Sequence, residues 1–267
     1  MPDAEFGDDR VSARRVTQVW AQIGEQSRGD PITVAHVCAA AVAALTVDGA
    51  GVTVMVSRTV RETMYASDRV AGELEELQLT LGEGPCVDAF NDGGPVLAAN
   101  LATPQCLATW PAFAPAAQGC GARAVFALPL QVGAIRLGVL DLYRTQPGPL
   151  STRELADALA FADATSMLLL DKAGGIQPDA VDLAWQWVDP TAQQAQVHQA
   201  IGMILVQLGI DADAAFARLR AYAFANDRRL SDVARDVVER RLRFEPEPPS
   251  EQDPPVPKSS PGGDDGP

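Results

Sequence analysis

Hydrophobic positions along the chain change their spacing in an order that outlines its elements. Val34, Val37, Cys38, Ala41, Val42 and Leu45 recur at helical intervals. Asp30 and Pro31 just ahead offer an N-cap and a first-turn proline. A further helix is predicted before it, from Arg10 to about Gln26. Gly49 to Val56 (GAGVTVMV) is β-branched and turn-bounded, which predicts a strand, with Glu62 to Ala66 as its hairpin partner. Asp68 to Leu79 returns to a helical period, with Leu74, Leu77 and Leu81 facing inward. Glycine and proline then punctuate residues 81–111, which predicts loops. Ala122–Gln131 and Ile135–Tyr143 read as two strands, and the short turn between them predicts a hairpin. Ser151, with Glu154 three residues on, is a capping box that opens a long helix.

Past residue 190 the spacing is helical three times over. Val197, Ile201, Ile204, Leu205 and Leu208 form one apolar stripe, which Thr191 caps and Gly209 ends. Asp211 caps a second helix, with Ala212, Ala215, Phe216, Leu219, Tyr222 and Ala223 inside and Asn226 as a left-handed stop. Ser231 caps a third, in which Ala234, Val237, Val238 and Leu242 repeat. The small core is expected around Leu205, Phe216, Leu219 and Val237.

These elements predict an α+β fold followed by a three-helix module. Residues 1–9 are expected to be disordered, 10–172 to form the first domain, and 173–190 to be a linker with an amphipathic connecting helix carrying Trp185 and Trp187. Residues 191–244 form the module. Residues 245–267 are rich in Pro, Gly, Ser and acids and are expected to be a disordered tail.

Charge complicates any nucleic-acid role. The chain totals −14, which repels nucleic acid at long range. Residues 191–244 invert that sign: eight arginines face six acids, a net +2. Arginine suits phosphate and base edges because its planar fork donates in pairs and stacks on bases. Arg235–Glu239 and Asp236–Arg240 at i, i+4 equally fit a solvated helix face. The N-terminus shows no secretory pattern and no apolar run is long enough to span a bilayer, so a cytoplasmic place without membrane contact is expected. Four cysteines without a C-x-x-C pair and two histidines give no zinc pattern, so no metal and no cofactor is expected.

Leu81-Gly-Glu-Gly-Pro-Cys86, Asn100-Leu101, Thr109-Trp110-Pro111-x-Phe113, Gly119-x-Gly121-x-Arg123-Ala124-Val125, Pro129-Leu130 and Leu137 to Tyr143 follow one another in the order of GAF sensor domains. Residues 11–172 resemble that family, an antiparallel sheet with flanking helices. The resemblance implies a pocket for an unknown small-molecule or redox signal. The Asn-Lys…Phe…Asp-Glu set of its cyclic-nucleotide binders is missing. His36 reads as a packed or capping histidine rather than a haem ligand. Free methionine-sulfoxide reductases are also GAF domains with loop cysteines, which makes Cys86 and Cys120 candidate redox residues and a Cys-dependent reductase the enzyme alternative. Such enzymes carry an acid where this chain has Ala124 to Ala127, with only Asp141 left to match, so a non-enzymatic role is expected.

Val197-His-Gln199-Ala200-Ile201-Gly202-Met-Ile204-Leu205, Ala214-Ala215-Phe216-x-x-Leu219-Arg220-x-x-Ala223 and Asn226-Asp-Arg228-Arg229-Leu230-Ser-Asp232-Val233-Ala234-x-x-Val237-Val238 resemble the ANTAR family. That implies a regulator that binds paired hairpins in nascent transcripts and controls antitermination, acting as a homodimer. On this reading Gln199, Arg220, Asn226, Arg228, Arg229 and Arg235 contact RNA. Many relatives carry Lys where this chain has Ile201, which leaves a protein-interaction adaptor without RNA binding as a further alternative.

Overall fold

The computed structural model describes residues 5–55, 61–172 and 192–245. Helix α1 (Glu5–Ser27) starts five residues ahead of the predicted Arg10, so residues 5–9, expected to be disordered, are helical. Helix α2 (Val34–Ala44) is capped by Thr33, not Asp30. The ring of His36 closes that turn: its Nδ1 accepts the Thr33 backbone N–H at 3.2 Å. This is the capping role expected of the histidine.

Strands β1 (Gly49–Met55) and β2 (Arg61–Ala66) pair antiparallel, as predicted. Helix α3 (Arg69–Leu81) is capped by Asp68, whose Oδ1 accepts from the N–H groups of Val70 and Ala71 at 2.8 and 3.0 Å. The stretch predicted as loops contains α4 (Pro85–Asp92), β3 (Val96–Ala98), α5 (Pro104–Thr109) and α6 (Phe113–Gly119). Here Pro85 and Pro104 sit at first helical positions, where they start short helices instead of breaking them. Glu83 ties the excursion down by accepting from the N–H groups of Ala112 and Phe113 at 2.7 and 2.8 Å.

Strands β4 (Ala124–Val132) and β5 (Ile135–Arg144) form the expected hairpin. The sheet runs β2-β1-β5-β4-β3, antiparallel throughout. Helix α7 (Thr152–Lys172) opens on the predicted box: Ser151 N–H donates to Glu154 at 2.7 Å and Glu154 N–H to Ser151 Oγ at 3.2 Å. Alternation along the strands sorts the layers. Ala50, Val52, Val54, Phe126, Leu128, Leu140 and Leu142 face α1, α2 and α7 in the main core. Val125 and Tyr143, with Met55, Ala127 and Val139, face α3, α4 and the excursion.

Three helices close the described chain: α8 (Ala192–Leu208), α9 (Ala212–Ala225) and α10 (Leu230–Val238). Ile204, Phe216, Leu219, Leu230, Val233 and Val237 are buried between them. Leu205, expected at the centre, is only partly buried, and Ile204 takes its place. Asp211 caps α9 through Ala214 N–H at 2.7 Å, as predicted. Two other expected signals sit elsewhere. Asp227, not Asn226, takes the left-handed backbone, at φ 50°. The N-cap of α10 is Arg229, which places Ser231 inside the helix. Thr191, the linker with Trp185 and Trp187, and the tail beyond Glu245 lie outside the described residues. No described helix is by itself long and apolar enough to cross a membrane.

Candidate functional site: a sealed polar cluster and a charged seam

Helix α3 separates two polar sites. Its inner face lies on the sheet, where Glu75 from α3, Cys86 from α4 and Asp141 from β5 converge. One ligating atom of each lies within 4.8 Å of the others, and all three residues are buried. Thr53 Oγ1 donates to Glu75 at 2.6 Å, and Gln78 Nε2 donates to Asp141 Oδ2 at 3.2 Å. The same Gln78 accepts the Cys86 N–H at 2.7 Å, which fixes the start of α4. Gly51 on β1 makes room for the acid, since a Cβ there would collide with the Glu75 carboxylate. Burial raises the Glu75 carboxyl well above the usual carboxylate range, and the Asp141 charge raises it further. Burial raises Asp141 as well. Two buried acids side by side favour holding a proton between them.

The outer face of α3 meets the three-helix module. Arg229 Nη2 lies 3.2 Å from Glu73 Oε1, and its Nε lies 4.0 Å from Glu76 Oε2. Ser231 Oγ and its N–H both donate to Glu76, the N–H at 3.4 Å. Leu79 of α3 packs against the module's core beside these pairs. Arg220 is half-buried: its guanidinium stacks over Phe216 at 5.8 Å and fills the space beside Gly82, where a Cβ would collide with it. Its Nε is buried without a hydrogen-bond partner, and burial lowers its pKa. Between the domains lies a cleft of about 540 Å³, lined by Arg69, Glu73, Cys120, Phe224, Arg228 and Arg229 among others.

The expected RNA-contact residues therefore divide. Arg220 and Arg229 turn toward the sensor domain, and Arg228 lines the same cleft. Arg228 also holds Asp236 at 2.7 Å, a partner that keeps the guanidinium charged and draws the Asp236 carboxyl below its usual range. Asn226 is exposed and donates to Tyr222 O at 2.8 Å. Arg235 pairs with Asp232 at 2.9 Å, three residues back, rather than with Glu239. The expected Asp236–Arg240 pair does not form either, because the helix ends at Val238 and Arg240 turns to φ 60°; Asp236 takes Arg241 at 2.6 Å.

Gln199 is on a different face. With Gly202, Met203, Val206, Arg240 and Arg243 it lines an open groove of about 700 Å³ between α8 and the segment after α10. Arg240 and Arg243 are exposed and have no ion-pair partner among the described residues. The sequence does not place them with Gln199, because only the reversal after α10 brings them together. Ile201 is half-buried and packs on the module's core, so an apolar residue suits that position.

The two candidate redox cysteines also part company. Cys86 is 1% exposed within the acid cluster, whereas Cys120 is half-buried in the interdomain cleft beside Glu73. Burial and the Glu73 charge raise the Cys120 pKa, which favours the thiol over a nucleophilic thiolate. Neither forms a disulfide, and burial pushes Cys38 in the main core up to about 12.

Comparison with known proteins gives two matches to family models, a GAF domain over residues 31–169 and an ANTAR domain over residues 191–238. No curated protein matches the chain. Among solved structures, the GAF domain from a phosphoenolpyruvate-protein phosphotransferase (ptsP) of Coxiella burnetii is 15% identical, covers 61% of this chain and 99% of its own, and has a TM-score of 0.45. The GAF domain of the cyanobacteriochrome TePixJ is 14% identical, covers 52% and 88%, and has a TM-score of 0.38.

Proposed function

We propose that this chain, which belongs to the GAF family and carries an ANTAR domain behind its sensor fold, is a signal-responsive, RNA-binding regulator of transcription antitermination. The RNA it reads is a pair of hairpins in a nascent transcript. A two-hairpin target fits a homodimer, and nascent RNA fits a cytoplasmic place. Its role is regulatory rather than enzymatic, in keeping with the thiol form that the surroundings of Cys120 favour.

One observation carries the regulatory part of the reading: Arg229, one of the arginines expected to meet RNA, is held by carboxylates of the sensor domain. Glu73 and Glu76 on α3 occupy Arg229 and Ser231 as RNA phosphates would. A signal that moves α3 therefore changes how much of the Arg220–Arg229 edge is free, a population shift between a docked and a released module. The pairs are exposed enough to be individually weak, which suits a switch that must open.

Crosslinking of the full chain to RNA, followed by sequencing, tests this function. Enriched paired hairpins support it, and no enrichment supports a protein-interaction adaptor instead. With one recovered hairpin, Arg228→Ala and Arg229→Ala are expected to weaken binding and each to lower the salt dependence by about one unit of slope. Unchanged affinity and slope would remove these two residues from the interface.

A further inference from the structure

We propose that Glu75, Cys86 and Asp141 form a binding site for one first-row transition-metal dication of the zinc or ferrous class. The three side chains come from three elements of the sensor domain, yet each brings a ligating atom within 4.8 Å of the other two. A thiolate with two carboxylates is the mixed sulfur and oxygen set that a borderline dication accepts, whereas magnesium and calcium take oxygen alone.

Three further observations separate this site from an ordinary buried hydrogen-bond network. Asp141 is 5% exposed, and its Oδ1 has no hydrogen-bond partner although Oδ2 is satisfied by Gln78. Leaving such an oxygen buried is costly unless something charged completes it. A cavity of about 10 Å³, lined by Thr53, Glu75, Gln78 and Cys86 among others, adjoins the cluster, close to the room one small ligand needs. Gly51 has no side chain where any Cβ would displace Glu75, so the backbone is shaped around that carboxylate.

The surrounding donors fit the same assignment. Thr53 holds one Glu75 oxygen and Gln78 one Asp141 oxygen, while the hydrogen bonds that Glu75 and Cys86 make to Asp141 give way to the ion. Binding displaces the Cys86 thiol proton and any proton held between the acids, which pass to solvent. The ligand positions 75, 86 and 141 are too far apart in the chain for a spacing motif, so sequence alone gives no zinc pattern. Glu75 also lies one residue from Glu76 and two from Glu73, so an ion held on the inner face of α3 braces the helix that grips the ANTAR domain.

Cobalt(II) titration of the metal-free full chain tests the site. We expect one saturable equivalent with a thiolate-to-cobalt charge-transfer band in the near ultraviolet, displaced by zinc. Cys86→Ser abolishes the band and Cys120→Ser leaves it intact. Glu75→Gln and Asp141→Asn keep the band but weaken the affinity by at least the ~10-fold that loss of a supporting residue costs, which keeps the test decisive if the Cys86 variant does not fold. No saturable band, a band that survives Cys86→Ser in a folded protein, or affinities unchanged in both carboxyl variants would overturn the proposal.

Discussion

Beneath α3 the sensor domain buries two carboxyls, a thiol and a hydroxyl; across the seam every buried position of the ANTAR domain is apolar among the described residues. The charges of the ANTAR domain lie outside, in pairs such as Arg228–Asp236 and Arg235–Asp232. Polar groups sealed in a core are costly and persist where they bind or switch something, while charges on a surface meet partners. On the proposed function, signal chemistry would lie inside the first domain and recognition chemistry on the skin of the second. Helix α3 takes part in both.

The largest expected effect tests whether the two cores are separate. Leu219 is fully buried in a small core, so Leu219→Ala is expected to cost ~2–5 kcal/mol. Hydrogen exchange should then show α8 to α10 open while the sheet stays protected. Loss of protection in both domains together would mean that they fold as one unit and that the contrast is superficial.

A second effect probes the interior charge of the sensor domain away from α3. Glu62 on β2 is buried with Oε1 unpartnered, and burial raises its pKa from 4.5 to about 7. Between those values the folded chain holds a proton that the unfolded chain has lost, so this residue makes stability fall as pH rises from about 4.5 to about 7. Glu62→Gln should remove that fall, leaving a variant more stable at pH 8 on the order of 2 kcal/mol and little changed at pH 4. Parallel denaturation midpoints for the two proteins across this range would refute it.

A smaller effect sharpens the comparison on the ANTAR side, where the open groove is not covered by the sensor domain. Arg240→Ala with Arg243→Ala should weaken hairpin binding severalfold and lower the salt slope by about two units if both meet phosphate. If the groove takes no part, the double variant binds as the parent does.

Periodicity made most of this architecture legible. The five-stranded sheet lacked only β3, and the three ANTAR helices and the Ser151 and Asp211 caps stand where their residue types put them. The excursion between α3 and β4 was hidden because Pro85 and Pro104 break a helix or start one equally well. The cap at Ser231 failed because Leu230 already belongs to the helix, and Glu76 takes the serine instead. The candidate sites were harder still. Arg228 and Arg229 are among the expected RNA contacts, but nothing local announces Glu73 as the partner of Arg229, 156 residues away. The convergence of Glu75, Cys86 and Asp141 depends on the sheet register and on Gly51, neither of which a spacing rule reports.

The central claim is that α3 of the sensor domain holds the RNA-binding edge of the ANTAR domain. A gel-shift titration of the full chain carrying Glu73→Gln and Glu76→Gln, on a hairpin pair recovered by crosslinking, tests it most directly. RNA binding is expected to be roughly three- to tenfold tighter than that of the parent, with the gain abolished when Arg229→Ala is added. Affinity equal to that of the parent, or a gain that persists without Arg229, would contradict it.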